Sequence, residues 1–193
     1  MTSRLPQLVA FDLDYTLWDL WIDTHVNPPI TRVGDTVNEL RDKYDKKISF
    51  YRDVPEILHR LKEAGVVIAA CSRTHTPDLA RRALRLLLVP PAAGHKHEAP
   101  TPAIEFFDQL EIYPGSKLKH FKEVHKKTGI PYSEMLFFDD ESRNREVESL
   151  GVTFSLITSG VNDRAFESGL GRWRKRHPDE VAGDASAGGA QGE

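Results

Sequence analysis

Asp12 and Asp14 stand one residue apart, with the hydroxyl of Thr16 close behind, in the run LeuValAlaPheAspLeuAspTyrThrLeu that covers residues 8–17. The stretch from Leu8 to Asp12 is mostly apolar and strand-forming. A strand interior does not accept unpaired carboxylates, because burying an ionised group without a partner is costly. Both acids are therefore expected where a strand ends and the chain opens to solvent, close enough to share a metal ion. The carboxyl ends of buried parallel strands are where open α/β sheets hold their ligands. The same residues could instead only cap the backbone amides of a strand-ending turn.

Further stations along the chain bear on that choice. The apolar run 66–71 (ValValIleAlaAlaCys) ends at Ser72, Arg73 and Thr74, and the run 135–138 (MetLeuPhePhe) ends in Asp139, Asp140 and Glu141. Between them Lys117 follows Pro114, Gly115 and Ser116, at the expected start of an amphipathic helix. If these strands lie parallel in one sheet, a carboxylate pair, a hydroxyl, an ammonium and a second acid pair gather at one edge. Such hard oxygen ligands suit Mg²⁺, and the ammonium and hydroxyl suit a phosphoryl group. Spacing alone leaves open which of Asp139 and Asp140 would touch the metal.

The elements that must position these groups read as repeated βα units. Val54, Ile57, Leu58 and Leu61 recur at helical spacing, with Pro55 in the first turn and Gly65 at the stop. Strand 66–71 follows, then a helix over 77–88 with Thr76 as its expected N-cap. Leu118, Phe121 and Val124 mark a helix closed by Gly129. Strand 135–139, a helix to Leu150, strand 152–157 and a last helix over 161–176 complete the series. This alternation predicts an α/β fold with a doubly wound parallel sheet. Residues 19–50 are polar and mixed and are expected to form a small flap. Residues 89–103 hold Pro90, Pro91, Pro100 and Pro102 with Gly94 and read as an inserted loop. The expected domain covers 1–177, and 178–193, rich in Gly, Ala, Ser and acids, read as a disordered tail.

With these motifs together the chain resembles the haloacid dehalogenase-like (HAD) superfamily of phosphohydrolases. Its motifs match Asp12-x-Asp14-x-Thr16, Ser72, Lys117 and Asp139-Asp140. The likeness is greatest to the eukaryotic magnesium-dependent phosphatases, which carry stretches like PheAspLeuAspTyrThrLeuTrp (11–18), TyrProGlySerLys (113–117) and PhePheAspAspGlu (137–141). The resemblance implies a core without a large cap domain, Mg²⁺ as cofactor, and hydrolysis of phosphate monoesters through an aspartyl-phosphate. Asp12 would be the nucleophile and a metal ligand, and Asp14 the general acid and base, meeting the metal through its backbone carbonyl. Lys117 would hold Asp12 ionised and offset phosphoryl charge. Asp140 would complete the metal's ligands with Asp139 supporting it. Ser72, Thr16, Arg73 and Trp21 would hold the phosphate or substrate. The substrates implied are phosphotyrosine-type groups or sugar phosphates, so the partner is a phosphorylated small molecule or protein side chain.

Bland readings stand beside these. Lys117 lies in a lysine-rich helix with a solvated face, Ser72 could cap a strand end, and Asp139-Asp140 could cap the helix after them. Trp18 reads as packing, and His95 and His97 as part of a polar loop. The cluster ArgTrpArgLysArgHis (172–177) ends a helix, where cations suit the dipole. Cys71 is followed six residues on by Pro77, so the Cys-x₅-Arg loop of cysteine phosphatases is absent. A receiver-like binding module controlled by phosphorylation, or a related phosphotransferase, are the other function classes.

Composition narrows the field further. The 193 residues carry 26 Lys and Arg against 29 Asp and Glu, a formal net charge of −3. That balance argues against attraction to nucleic acid or a membrane surface. No apolar run approaches a bilayer span, and no signal-peptide pattern opens the chain. A single cysteine precludes an internal disulfide and fits a reducing compartment, so a cytoplasmic or also nuclear location is expected.

Overall fold

The computed structural model describes residues 4–94 and 97–178. In chain order the elements are β1 (Leu8–Phe11), α1 (Ile22–His25), β2 (Thr31–Arg32), β3 (Leu40–Arg41), β4 (Lys47–Ile48), α2 (Val54–Glu63), β5 (Val67–Ser72) and α3 (Pro77–Leu86). They continue with β6 (Leu88–Val89), β7 (Thr101–Pro102), β8 (Gln109–Ile112), α4 (Lys117–Thr128), β9 (Met135–Asp139), β10 (Thr153–Leu156) and α5 (Asp163–Arg176). The main sheet has five strands in the order β10-β9-β1-β5-β8, and every pairing in it is parallel. The fold is α/β, a doubly wound parallel sheet. The order reverses direction at β1: the chain builds outward through β5 and β8, then crosses back to β9 and β10. The cleft at such a switch point, outside the strands' carboxyl ends, is the ligand site of this architecture.

Strand periodicity sorts the apolar residues into two layers, as a sheet buried on both faces requires. Val9, Phe11, Ile68, Ala70, Leu136 and Phe138 face one layer, where Ile57 and Leu61 of α2, Leu84 of α3, and Phe166 and Trp173 of α5 pack. Leu8, Ala10, Ala69, Cys71, Met135 and Phe137 face the other, against Phe121 and Val124 of α4. Gly65 closes α2 at φ +68 and Gly129 closes α4 at φ +70, the left-handed conformation that glycine adopts freely.

Several elements differ from the sequence reading. The edge strand β8 was not anticipated: only Leu110 and Ile112 alternate there, too short a signal to stand out, and pairing with β5 makes it a strand. The helix expected up to Leu150 winds as a 3-10 helix, Ser142–Leu150. Its first turn is drawn tight because Asn144 donates its amide to Glu141 O while its side chain is tied to Asp139. Thr76 stands at the N-cap position of α3 without a side-chain capping bond; its hydroxyl meets that of Thr74 instead. Residues 19–50 hold α1 and an antiparallel sheet in the order β2-β3-β4. The ends of the Pro-rich stretch pair, Leu88 with Pro102 and Val89 with Thr101. The expected tail, beyond Pro178, and His95 lie outside the described residues.

Gly169, in α5, meets the sheet at its tightest point. A Cβ there would lie 2.4 Å from Cε1 of Phe138 and 3.2 Å from Oγ of Ser155. Phe138 is fully buried and its ring stacks on Phe11 with centroids 5.4 Å apart, so it has no room to withdraw. In an exposed helix Ala would gain about 1 kcal/mol over Gly, whereas overpacking a filled core costs roughly 1–3 kcal/mol. The clash wins: Gly169→Ala is expected to lower unfolding stability by about 1–2 kcal/mol in a urea titration, and a stabilised variant would show that α5 packs less closely than described.

Candidate active site

Asp12 follows directly on β1, and its amide donates to Phe138 O of β9 at 2.9 Å. The register of β1, with Phe11 opposite Ala70 and Phe138, sets the next residue beside Cys71 on one side and Asp139 on the other. Lys117 enters this point from the first turn of α4, whose N-cap Ser116 accepts a bond from the Lys119 amide. The Lys117 side chain is 1% exposed. Its ammonium donates to Asp12 Oδ1 at 2.6 Å, lies 3.2 Å from Asp139 Oδ2, and donates to the Cys71 carbonyl. The solvated-face reading of Lys117 is therefore excluded.

Asp14 lies two residues on, past Leu13, in a bend that holds Tyr15 at φ +52. Its Oδ1 accepts from Trp18 Nε1 at 2.7 Å and from the Ile22 amide at 3.2 Å. On the far side, Asp139 Oδ1 accepts from the Glu141 amide at 2.7 Å, and both Asp139 oxygens accept from Asn144 Nδ2 at 2.9 Å. Asn144 Oδ1 in turn accepts from Arg73 at 3.1 Å. One continuous network thus runs Asp12–Lys117–Asp139–Asn144–Arg73.

A cleft over these groups is lined by Asp12, Asp14, Lys117, Asp140, Ser72, Arg73 and Trp21. The sequence candidates are therefore brought together, with one exception. Thr16 is fully buried, its hydroxyl has no hydrogen-bond partner among the described residues, and it does not line the cleft. Its carbonyl accepts from the Val161 amide instead, which seats the bend against the loop after β10. Ser72 accepts from the Thr74 amide at 3.3 Å. Trp21 is 48% exposed at the cleft mouth, stacked on His25 with centroids 5.4 Å apart.

Sequence reasoning missed Trp18, Asp23 and Asn144 as parts of this arrangement. Trp18 does pack, stacked on Phe50, but its N–H also holds Asp14. Asp23 lines the cleft and accepts from the His75 amide at 3.2 Å and the Thr74 hydroxyl at 3.4 Å. Asp23 meets Thr74 and His75, and Asn144 meets Arg73, across long sequence separations, and an amide five residues after Asp139 matches no spacing that sequence reasoning used.

Three acids at this site hold protons more readily than free carboxylates. Burial pushes Asp12 up to about 8, with Asp139 adding to the rise and Lys117 opposing it. Burial lifts Asp14 to about 6 against its two hydrogen bonds, and lifts Asp140 to about 6 with help from Asp139 and Glu141. Burial also disfavours the Lys117 charge, but Asp12 and Asp139 outweigh it and hold its pKa above the ordinary value. The cluster is short of positive charge. Oxygens of Asp12, Asp139 and Asp140 lie within 4.8 Å of one another, an all-carboxylate donor set that fits a hard divalent cation.

Comparison with known proteins identifies the family. A family model described as acid phosphatase matches residues 4–176. The chain belongs to that family. A HAD-like hydrolase superfamily protein of Schizosaccharomyces pombe is 52% identical over 151 residues, 78% of this chain and 85% of the relative. Magnesium-dependent phosphatase 1 of Homo sapiens is 42% identical over 174 residues, 90% of each chain. This family member is thus a HAD phosphatase close to the magnesium-dependent phosphatases. Among solved structures, a HAD-superfamily hydrolase of Ehrlichia chaffeensis has a TM-score of 0.55 at 13% identity, over 89% of this chain and 98% of that one. The N-terminal part of a Bacteroides fragilis protein, containing a phosphatase domain complexed with Mg, has a TM-score of 0.53 at 16% identity. It is covered over 89% of this chain and 40% of that one. At these identities the likeness establishes the shared fold.

Two outcomes follow for this phosphatase core. Cys71 is buried and its thiol is pushed up to about 12, chiefly by burial; the thiolate is the reactive form. Native protein at pH 8 is expected to resist iodoacetamide and react fully only in denaturant, as mass spectrometry would register; rapid native labelling would contradict the packing. Replacing Lys117 by Met leaves Asp12 and Asp139 facing one another without a cation. Breaking a buried pair in this way costs roughly 3–5 kcal/mol, a loss to be read from urea unfolding at neutral pH in EDTA. An unchanged midpoint would mean the ammonium does not hold these carboxylates.

Proposed function

We propose that this chain hydrolyses phosphate monoesters in the presence of Mg²⁺, through an aspartyl-phosphate formed on Asp12. The observation that carries the reading is the gathering of Asp12, Asp139 and Asp140 around Lys117 at the floor of an open cleft whose wall holds Ser72 and Arg73. Asp12 and Asp140 would hold the ion, with the Asp14 carbonyl as a further ligand and Asp139, already engaged by Lys117, Asn144 and the Glu141 amide, supporting them. Bound there, the ion would neutralise carboxylate and phosphoryl charge and leave Asp12 ionised.

An Asp12 carboxylate oxygen attacks phosphorus in line, and the bond from phosphorus to the ester oxygen breaks. Asp14 delivers its proton to the departing alkoxide or phenoxide, whose negative charge would otherwise build up in the transition state. Water then attacks the aspartyl-phosphate and passes its proton to Asp14, releasing phosphate and restoring the Asp12 carboxylate and the protonated Asp14. Lys117 offsets charge on the transferring group while keeping Asp12 in the nucleophilic form. Ser72 and Arg73 hold phosphoryl oxygens, and Trp21 lies against the leaving group. Positioned proton transfer of this kind contributes about 10²- to 10⁴-fold.

Among the described residues, the cleft is bordered by the segment that carries Trp21, Asp23 and Thr24 and by the loops after β5 and β9. That openness fits a phosphotyrosine-type side chain or a sugar phosphate, and the mature role would lie in the cytoplasm or nucleus. A screen of phosphate monoesters with and without Mg²⁺ tests the reading. Wild type is expected to turn over only with the ion, and Asp12→Asn to lose turnover while keeping its fold. Asp14→Asn is expected to slow alkyl phosphates far more than p-nitrophenyl phosphate, whose leaving group needs little protonation. A protein that instead accumulates stable phosphate on Asp12 without turnover would be a receiver-like switch, and transfer to an added alcohol in place of water would mark a phosphotransferase.

A further inference from the structure

Trp18 has a fully buried indole whose N–H is directed at Asp14 Oδ1 from 2.7 Å. Indole nitrogen can only donate, and when buried it needs an acceptor; packing alone would be satisfied by any carbonyl. Here the acceptor is the side chain assigned to proton transfer. The ring has no freedom to swing away. It stacks on Phe50 at 6.0 Å and 7°, and its backbone bridges to both Asp14 and Phe50. The Ile22 amide, at the start of α1, donates to the same oxygen. Among the described residues nothing donates to Oδ2.

From this arrangement we infer that Trp18 is a positioning residue for the acid: by occupying Oδ1, together with the Ile22 amide, it confines the transferable proton to Asp14 Oδ2 and fixes the rotamer from which that proton is delivered. The inference rests on the reading of Asp14 as general acid. In the first step the proton leaves Oδ2 for the ester oxygen as its bond to phosphorus breaks; in the second, a proton from the attacking water returns to Oδ2. Trp18 keeps its own proton throughout. An oxygen already accepting from two donors is a poor seat for a proton, because protonation would set a donor against donors. Without the indole N–H, Asp14 could rotate about its terminal torsion and populate the wrong oxygen.

The test is the leaving-group dependence of Trp18→Phe, measured as kcat/KM on p-nitrophenyl phosphate and on an alkyl phosphate with Mg²⁺ present. The expected result is a fall of about 10- to 100-fold on the alkyl phosphate, the size set by losing one hydrogen bond to a charged group, and under about threefold on p-nitrophenyl phosphate. In an Asp14→Asn background the same substitution should add no further leaving-group dependence, since the two residues act through one group. Equal losses on both substrates, or a drop in thermal stability with an unchanged leaving-group profile, would overturn the inference and leave Trp18 as packing. If Asp14→Asn itself shows no preference between the substrates, the acid assignment falls and the Trp18 role with it. Should Trp18→Phe fail to fold, benzothienylalanine at position 18 keeps the shape and stacking while lacking the N–H, and the same comparison decides.

Discussion

One buried ammonium organises this molecule. Lys117 lies between Asp12 and Asp139 and reaches the Cys71 carbonyl, so it touches the ends of the three central strands at once. Buried ion pairs are weak contributors to stability, because desolvation consumes most of the Coulombic gain. Their presence at the carboxyl edge of an otherwise apolar sheet is better understood through what they hold apart. Two carboxylates against one ammonium, with Asp140 at hand, leave the cluster with surplus negative charge in a place from which water is largely excluded. Burial raises the proton affinities of Asp12, Asp14 and Asp140, and the Asp139 charge adds to the rise at Asp12 and Asp140.

Around this centre the small segment between β1 and α2 acts as a brace rather than a lid. Trp18 and the Ile22 amide hold Asp14, and Asp23, the next residue, accepts from Thr74 and His75 on the loop after β5. Consecutive residues of one short turn therefore touch both the proposed acid and the loop that carries Ser72 and Arg73. On the opposite wall Asn144 links Asp139 to Arg73. The groups assigned to nucleophile, acid and phosphate binding are thus interlocked through the Trp18 indole, the Ile22 amide, the Asp23 carboxylate and the Asn144 side-chain amide.

Much of this was legible in the chain because the strands and helices bury their apolar residues at regular spacing. The runs ending at Asp12, Ser72 and Asp139 are strands whose last residues turn polar where the sheet stops, and the helices over Val54–Glu63 and Lys117–Thr128 show their stripes and their glycine stops. Elements whose identity depends on a neighbour were harder to see. Gln109–Ile112 is a strand because Val67–Ser72 offers it an edge, and Ser142–Leu150 winds as a 3-10 helix while Asn144 is tied to Asp139. Thr16, which the motif singles out, turned inward to the bend and left the cleft.

The sequence by itself determined the parallel α/β architecture and the identity of the acids, lysine and serine that meet at its edge, since apolar periodicity and the cost of burying unpaired charge leave few other places for them. Only the tertiary structure decided which oxygen each donor occupies. That Lys117 is buried rather than solvated, that Trp18 holds Asp14, and that Asn144 and Asp23 bind the walls together depend on contacts between residues far apart in the chain or facing one another across a bend. Such contacts are set by the crossing of strands and loops in space, and no local pattern of residues encodes them.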